Sequence, residues 1–399
     1  MIAAAPAGEL LEKDPLGAEM VMISLEAWPQ LPNLVSDYLG PYEWLAGSRS
    51  HTADLGELLK RAHALAGLAE RGGDAYLAAQ ARAIATQIEV HDDPRRYGYL
   101  ELVERLLACS FVPPDPEEVV GLEQEVAALA KHLGSTGVDP VMTWEVSGLI
   151  SGEAKWDAAL SAYRAGRRWA LERFPVKFVE DLEIARFDGP LASLHLTWRE
   201  PDRLVFEVNV NVPRTRGTIA YEVAHNIYPG DYLHMAILTQ HTYAVEGRAA
   251  ACVKLKNAPE NVIAEGIEEV APFRLHPEHG PEEELAWKLE WLRRAACLMA
   301  AVRLRGAGES REEVLHQLQR SGHMTPERAN QELDRIEHPL WGTYVYTYWL
   351  GRHLVAEADR RAGSSARGAA YLGWLYGGLH VPESFAAESA RVLAAATPR

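Results

Sequence analysis

The residues best placed to do chemistry gather in the stretch Thr218–His234, which reads TIAYEVAHNIYPGDYLH. Glu222 and His225 stand three residues apart, and so do Asp231 and His234, so on a helix each pair shares a face. A carboxylate and an imidazole at that spacing can share a metal ion. Between the pairs, Pro229-Gly230 interrupts the helix, because proline has no N–H to donate and its ring clashes with the preceding turn. His225 and Asp231 are separated by roughly 240° around a straight helix, so they converge only if that break bends the chain. A third donor comes later. In NVIAEGIEEV, Asn261–Val270, the spacing predicts a helix on which Glu265 shares a face with Glu268 or Glu269. His225, Asp231 and Glu265 together would make an open coordination set for zinc, or with more oxygen donors for a harder divalent ion.

Each of these residues also has an ordinary use. His225 could be a hydrogen-bonded helix histidine, and Asp231, after Pro-Gly, a turn or N-cap residue. Glu222 could act as a general base, or could pair with a cation such as Arg248 or simply be solvated. The helix WGTYVYTYWLGRHLV carries Tyr344, Tyr346 and Tyr348 in alternation, so they cannot all face one way. Tyr346 is assigned to the cleft.

The blocks HNIYPGDY (His225–Tyr232), PENVIAEGIEE (Pro259–Glu269) and YVYTYWLGR (Tyr344–Arg352) resemble a family of bacterial helical zinc-metallopeptidase-like proteins, similar in fold to carboxypeptidase Taq. Its members carry HExxPGHH, then EGxxE, then a helix containing Tyr and Gly. The resemblance implies a mainly α-helical fold with a small β-hairpin beside the motif helix, and covers about the second half of the chain. Carried over by position, it implies that His225 is the first metal ligand and Glu265 the third. The family's general base is replaced by Asn226, its second ligand histidine by Asp231, and the neighbouring histidine by Tyr232. An amide cannot act as a general base, and losing one typically costs about 10²–10⁴-fold in rate. The resemblance therefore implies a degenerate zinc site with weak or no peptidase activity and a cleft for a peptide or small molecule. Two alternatives stay open: an active metal-dependent hydrolase using His225, Asp231 and Glu265, with Glu222 or a nearby acid as base, and a non-enzymatic helical scaffold whose site residues are only structural.

The elements that must position these residues follow from the rest of the chain. With 399 residues, 48% of them hydrophobic, it can bury a large core. Residues 1–50 are rich in Pro, Trp and Gly without a clear period and read as an irregular arm. Residues 51–175 read as helical, and 176–399 as the hairpin followed by the metallopeptidase-like helices, the whole forming one continuous unit. Leu55, Leu58, Leu59, Ala62, Leu65 and Ala66 recur at helical spacing, and Gly72-Gly73 stops that run. PPDPEE, Pro113–Glu118, starts another helix with Asp115 as N-cap. A further helix is expected over Glu153–Glu172. SLHLTW and RLVFEVNVNV alternate in period two around Glu200-Pro201-Asp202, which predicts the hairpin. There, Leu204, Phe206, Val208, Val210 and Val212 would face one way, and Glu207, Asn209 and Asn211 the other.

The formal net charge of −16 disfavours nucleic acid and anionic membranes as partners. No apolar run is long enough to span a bilayer, and the first residues lack a signal-peptide pattern, so a cytoplasmic location is expected. Cys109, Cys252 and Cys297 are far apart in apolar surroundings and read as buried thiols.

Overall fold

A computed structural model describes residues 7–50, 52–174, 182–187, 193–200, 203–363 and 366–396. The fold is mainly α-helical with two small sheets, and the chain divides into two units. One unit is built from Pro113–Leu233 and Ile267–Glu337, the other from Ile2–Val112, His234–Gly266 and His338–Arg399.

In the second of these units the amino-terminal segment is helical core, not an irregular arm. Asp14 caps a helix at Pro15–Ala27, accepting from the backbone of Gly17, and Pro15 sits where its missing N–H costs nothing. Met20, Val21, Ile23 and Leu25 are then buried among the helices Leu55–Gly72 and Ala75–Asp92. The strand β1 (Val35–Tyr38) follows, and pairs antiparallel with a strand far along the chain, Val253–Leu255. The helix Leu55–Gly72 ends as the sequence predicts, with Gly73 in the left-handed region at φ 75. Of the cysteines, Cys252 and Cys297 are buried and Cys109 is half-buried, all three as free thiols. Burial pushes the Cys109 and Cys297 thiols up to about 12.

The other unit carries a three-stranded sheet of β2 (Glu183–Phe187), β3 (Leu194–Glu200) and β4 (Arg203–Asn209), in the order β2-β4-β3. β3 and β4 form the expected antiparallel hairpin, with Leu194 opposite Val208 and Glu200 opposite Arg203. Pro201 and Asp202 of the expected turn lie outside the described residues. The two-faced reading of the second strand is corrected here. β4 is the central strand, with β2 parallel on its other edge, and Glu207 and Asn209 are as buried as Phe206 and Val208. The strand also stops at Asn209, before Val210 and Val212.

Helices Pro116–His132 and Gly152–Arg173 form where their caps and apolar spacing place them. Asp115 accepts from Glu117 N, as an N-cap should. Leu122, Val126, Val141 and Trp144 pack with Leu285, Leu289 and Leu292 of the long helix Pro281–Ala301. No helix among the described residues is long and apolar enough to cross a membrane.

Candidate metal centre

The motif helix runs Arg216–Asn226. Thr215 caps it by accepting from Thr218 N, and Trp287 Nε1 donates to Gly217 O, which fixes its start against the helix Pro281–Ala301. A Cβ on Gly217 would lie 2.7 Å from the Ala286 methyl, so the two helices approach this closely only at a glycine. After Asn226 the chain passes through a cis Tyr228-Pro229 bond. A Cβ on Gly230 would fall 1.8 Å from His225 O, so the Pro-Gly break lets the backbone pass directly over the last turn of the motif helix. The helix Asp231–Ile237 starts immediately afterwards.

His225 is buried at 8% exposure. Its Nε2 lies 3.1 Å from Glu268 Oε2 and its Nδ1 lies 3.8 Å from Glu269 Oε1. Tyr221, one turn earlier, stacks its ring on the imidazole at 5.7 Å and 26°. Burial, with the nearby charge of Glu269 adding to it, holds its phenol well above the ordinary pKa. Arg294, from the helix Pro281–Ala301, reaches Glu269 Oε1 with Nε at 3.3 Å.

Glu268 and Glu269 lie on the helix Pro259–Leu275, and the division between the two units falls inside this helix, between Gly266 and Ile267. Glu265 therefore stands one turn before Glu268 on a continuous helix, and its place beside Glu268 is set by the helix itself. One donor atom each from His225, Glu265 and Glu268 lies within 4.8 Å of the others, and all three residues are buried. Glu265 Oε1 accepts a 2.5 Å hydrogen bond from Tyr344 of the helix Trp341–Ala362.

The donor set suits a divalent cation. An imidazole nitrogen and two carboxylates are ordinary ligands for zinc, and two oxygens to one nitrogen also suit a harder ion such as manganese. Burial points the same way: Glu265, Glu268 and Glu269 are 5%, 4% and 0% exposed, and Arg294 pairs with Glu269. Carboxylates gathered this closely in a buried place favour a bound cation or retained protons.

The structure thus brings together His225 and Glu265 from the ligand set read in the sequence, and puts Glu268 where Asp231 was expected. Asp231 opens the helix beyond the Pro-Gly break, half-buried, and is not part of the cluster. Asn226 turns back on its own helix, donating to Glu222 O at 2.7 Å.

Glu222 is committed elsewhere. Its Oε2 accepts from Ser193 Oγ at 2.7 Å and its Oε1 from Arg214 Nε at 3.0 Å, so its cation is Arg214. Arg248 instead pairs with Asp14 and Asp74. Behind Ser193 is a fully buried lysine, Lys155, whose Nζ donates to Ser193 Oγ at 2.9 Å and to the carbonyls of Asn209 and Val212, each at 2.7 Å. Burial pulls its pKa down to about 8, with Glu222 opposing that shift and Arg214 adding to it. Glu222 and Lys155 thereby tie the motif helix to the end of the hairpin.

Tyr346 also stands apart from the cluster. Its hydroxyl accepts from Val112 N at 2.8 Å and its ring packs on Phe111 at 4.7 Å, while burial raises its pKa to about 12. Tyr344 of that helix is instead the one that donates to Glu265. Glu268 and Tyr344 were both visible in the sequence. What singles them out is their phase: Glu268 is one helical turn from Glu265, whereas Tyr344 and Tyr346 are two residues apart and must point different ways.

No family model matches the sequence, and no curated protein matches it. Among solved structures, the "putative lipoprotein" of Colwellia psychrerythraea is similar over 86% of this chain and 70% of its own, with a TM-score of 0.61 at 12% identity. A "putative lipoprotein of unknown function" from Shewanella oneidensis is similar over 94% of this chain and 72% of its own, with a TM-score of 0.51 at 12% identity. At such identity the likeness is one of fold.

Proposed function

We propose that the chain is a metallopeptidase-like protein of the carboxypeptidase Taq kind, in which His225, Glu265 and Glu268 hold a divalent cation and peptidase activity is weak or absent. The observation that carries this reading is the buried His/Glu/Glu cluster, built from the two sequence blocks that resemble the family's metal motifs. When bound, the cation would polarise a carbonyl group as a Lewis acid. The chain's own residues supply the rest. Tyr344 fixes one oxygen of Glu265, and Arg294 fixes Glu269 beside the Nδ1 edge of His225. Such outer contacts orient a ligand imidazole and raise metal affinity.

What is missing is a base. Asn226 occupies the base position and its amide is bonded to its own helix, while Glu222 is held by Ser193 and Arg214. The test is metal content together with rescue. Protein purified without chelator is expected to carry about one zinc or manganese per chain, as counted by elemental analysis, and to hydrolyse unblocked peptides at close to background rate. Asn226→Glu is expected to raise that rate by about 10²-fold, the lower end of what a general base contributes. Metal-free protein that takes up no added zinc or manganese would refute the proposed site. Metal binding with no gain from Asn226→Glu would refute its peptidase ancestry.

A further inference from the structure

Oxygens cage the Lys155 ammonium inside the unit that contains Pro113–Leu233. Nζ lies 2.7 Å from Asn209 O, 2.7 Å from Val212 O, 2.9 Å from Ser193 Oγ and 3.5 Å from Ser193 O. Lys155 and Asn209 are 0% exposed and Ser193 is 6% exposed. Backbone bonds hold the cage together: Asn209 N donates to Ser193 O at 2.9 Å, and Gly152 N, at the start of the helix that carries Lys155, donates to Val210 O at 2.8 Å. Glu222 of the motif helix meets this cage through Ser193, whose Oγ accepts from Lys155 and donates to Glu222 Oε2.

Counting protons gives this chain of three groups a direction. A charged lysine has three N–H groups and here meets three close acceptors, so each N–H is used once. A neutral lysine has two N–H groups and a lone pair. Asn209 O and Val212 O are carbonyls that can only accept, so they keep the two N–H groups. Ser193 is the partner that can turn a proton toward the lone pair. Its hydroxyl carries a single hydrogen, and turning that hydrogen to Nζ takes it from Glu222. When Lys155 gives its proton to water, Glu222 therefore loses one donor and keeps Arg214 Nε at 3.0 Å.

The charged groups that bear on Lys155 are Glu222, from the motif helix, and Arg214, from the segment before it. On its own helix, Glu153 and Asp157 face Arg186. Burial brings the loss of the lysine proton down to about pH 8.

We infer that Lys155, Ser193 and Glu222 form a proton-operated latch, which holds the motif helix to the hairpin while Lys155 is charged and releases Glu222 when Lys155 is neutral. The latch requires no metal in the His225 cluster, which begins one turn further along the same helix.

The direction of the pH effect follows from Glu222. It favours the charged lysine, so Lys155 keeps its proton to a higher pH with the latch closed than with Glu222 released. Opening then releases a proton, and becomes easier as pH rises between the two midpoints. One hydrogen bond to a charged group corresponds, at the lower end, to about a tenfold change in the opening equilibrium, which sets the midpoints about one pH unit apart, near 7 and 8.

Two measurements test this. In NMR titration of protein labelled at the lysine Cε carbons, the Lys155 signal is assigned by its loss in Lys155→Met and in Lys155→Arg. Its midpoint is expected near 8 in wild type and about one unit lower in Glu222→Gln. Hydrogen exchange of Arg216–Asn226, corrected for intrinsic rates and referred to the helix Pro116–His132, is expected to show about tenfold more opening at about pH 8.5 than at about pH 6.5. Ser193→Ala has no hydroxyl to turn and should lack that step while Lys155 still titrates. A Lys155 midpoint above about 9.5, a midpoint unmoved by Glu222→Gln, a flat wild-type exchange profile, or a full step in Ser193→Ala would overturn the latch.

Discussion

Replacing Glu268 by Gln separates a metal ligand from an ordinary buried acid, because the two roles predict opposite effects in chelator and in metal. In chelator the change replaces a buried carboxyl beside Glu265 and Glu269 by an amide of the same shape that can still bond His225 Nε2, 3.1 Å away in the parent. The variant should therefore stay within about 1 kcal/mol of wild type, the scale of one hydrogen bond exchanged for another. In zinc the order changes. At a free zinc concentration about 100 times the dissociation constant, wild type gains about 2.7 kcal/mol by mass action. Losing one of three donors, if it weakens binding about a hundredfold, brings the gain for the variant at the same concentration down to about 0.4 kcal/mol. For a domain of about 150–250 residues each kcal/mol moves the midpoint by about 2–4 °C, so zinc should raise the wild-type transition by about 5–10 °C and the variant's by about 1 °C. Differential scanning fluorimetry in EDTA and in buffered zinc measures all four values. An equal zinc shift in both proteins would remove Glu268 from the ligand set.

Two further outcomes follow from geometry. Tyr344→Phe deletes the 2.5 Å hydrogen bond to Glu265 and should weaken zinc binding by about 10-fold, whereas Tyr346→Phe, which touches the backbone near Val112, should leave it unchanged. Equal effects of the two, read by competition with a zinc indicator, would deny Tyr344 its positioning role. His380 supplies a pH signature, since burial pulls its pKa down to about 4 from an ordinary value of 6.5. The unfolded chain then binds more protons than the folded one between those values, so the stability contributed by neutral His380 is present above about 6.5 and is lost as pH falls toward 4. The whole window is worth roughly 3 kcal/mol. Urea unfolding of wild type and His380→Gln from pH 7 to 4.5 should show wild type losing more, and parallel curves would refute the assignment.

Much of the helical frame could be read from local signals, because caps and stops act within one turn. Asp115 and Gly73 do what their neighbours in sequence require of them. The amino-terminal segment reads as irregular because Pro15–Ala27 is apolar around most of its circumference and leaves little polar face from which to count a period. The edge strand β2 is not legible for a related reason: five residues, EIARF, carry too little alternation to identify a strand whose partner lies some twenty residues on. The site was half legible. His225 and Glu265 stand on regular helices and could be placed by spacing, whereas Asp231 depended on the path of the chain through Pro229-Gly230, which spacing does not determine. Glu222 looked available only because Ser193, Arg214 and Lys155 are brought to it by tertiary structure.

The glycine next to Glu265 has a significance of its own. A Cβ on Gly266 would lie 2.3 Å from Gly351 O, and one on Gly351 would lie 1.9 Å from Val262 O, so two helix backbones touch where both side chains are missing. Seven residues, two turns, separate Tyr344 from Gly351 along one helix, and Glu265 adjoins Gly266 on the other. The crossing point therefore acts as a register mark that brings one particular phenol to one particular carboxylate. The pair Glu-Gly is in this sense a two-part address, its acid naming the group to be held and its glycine naming the helix that will hold it.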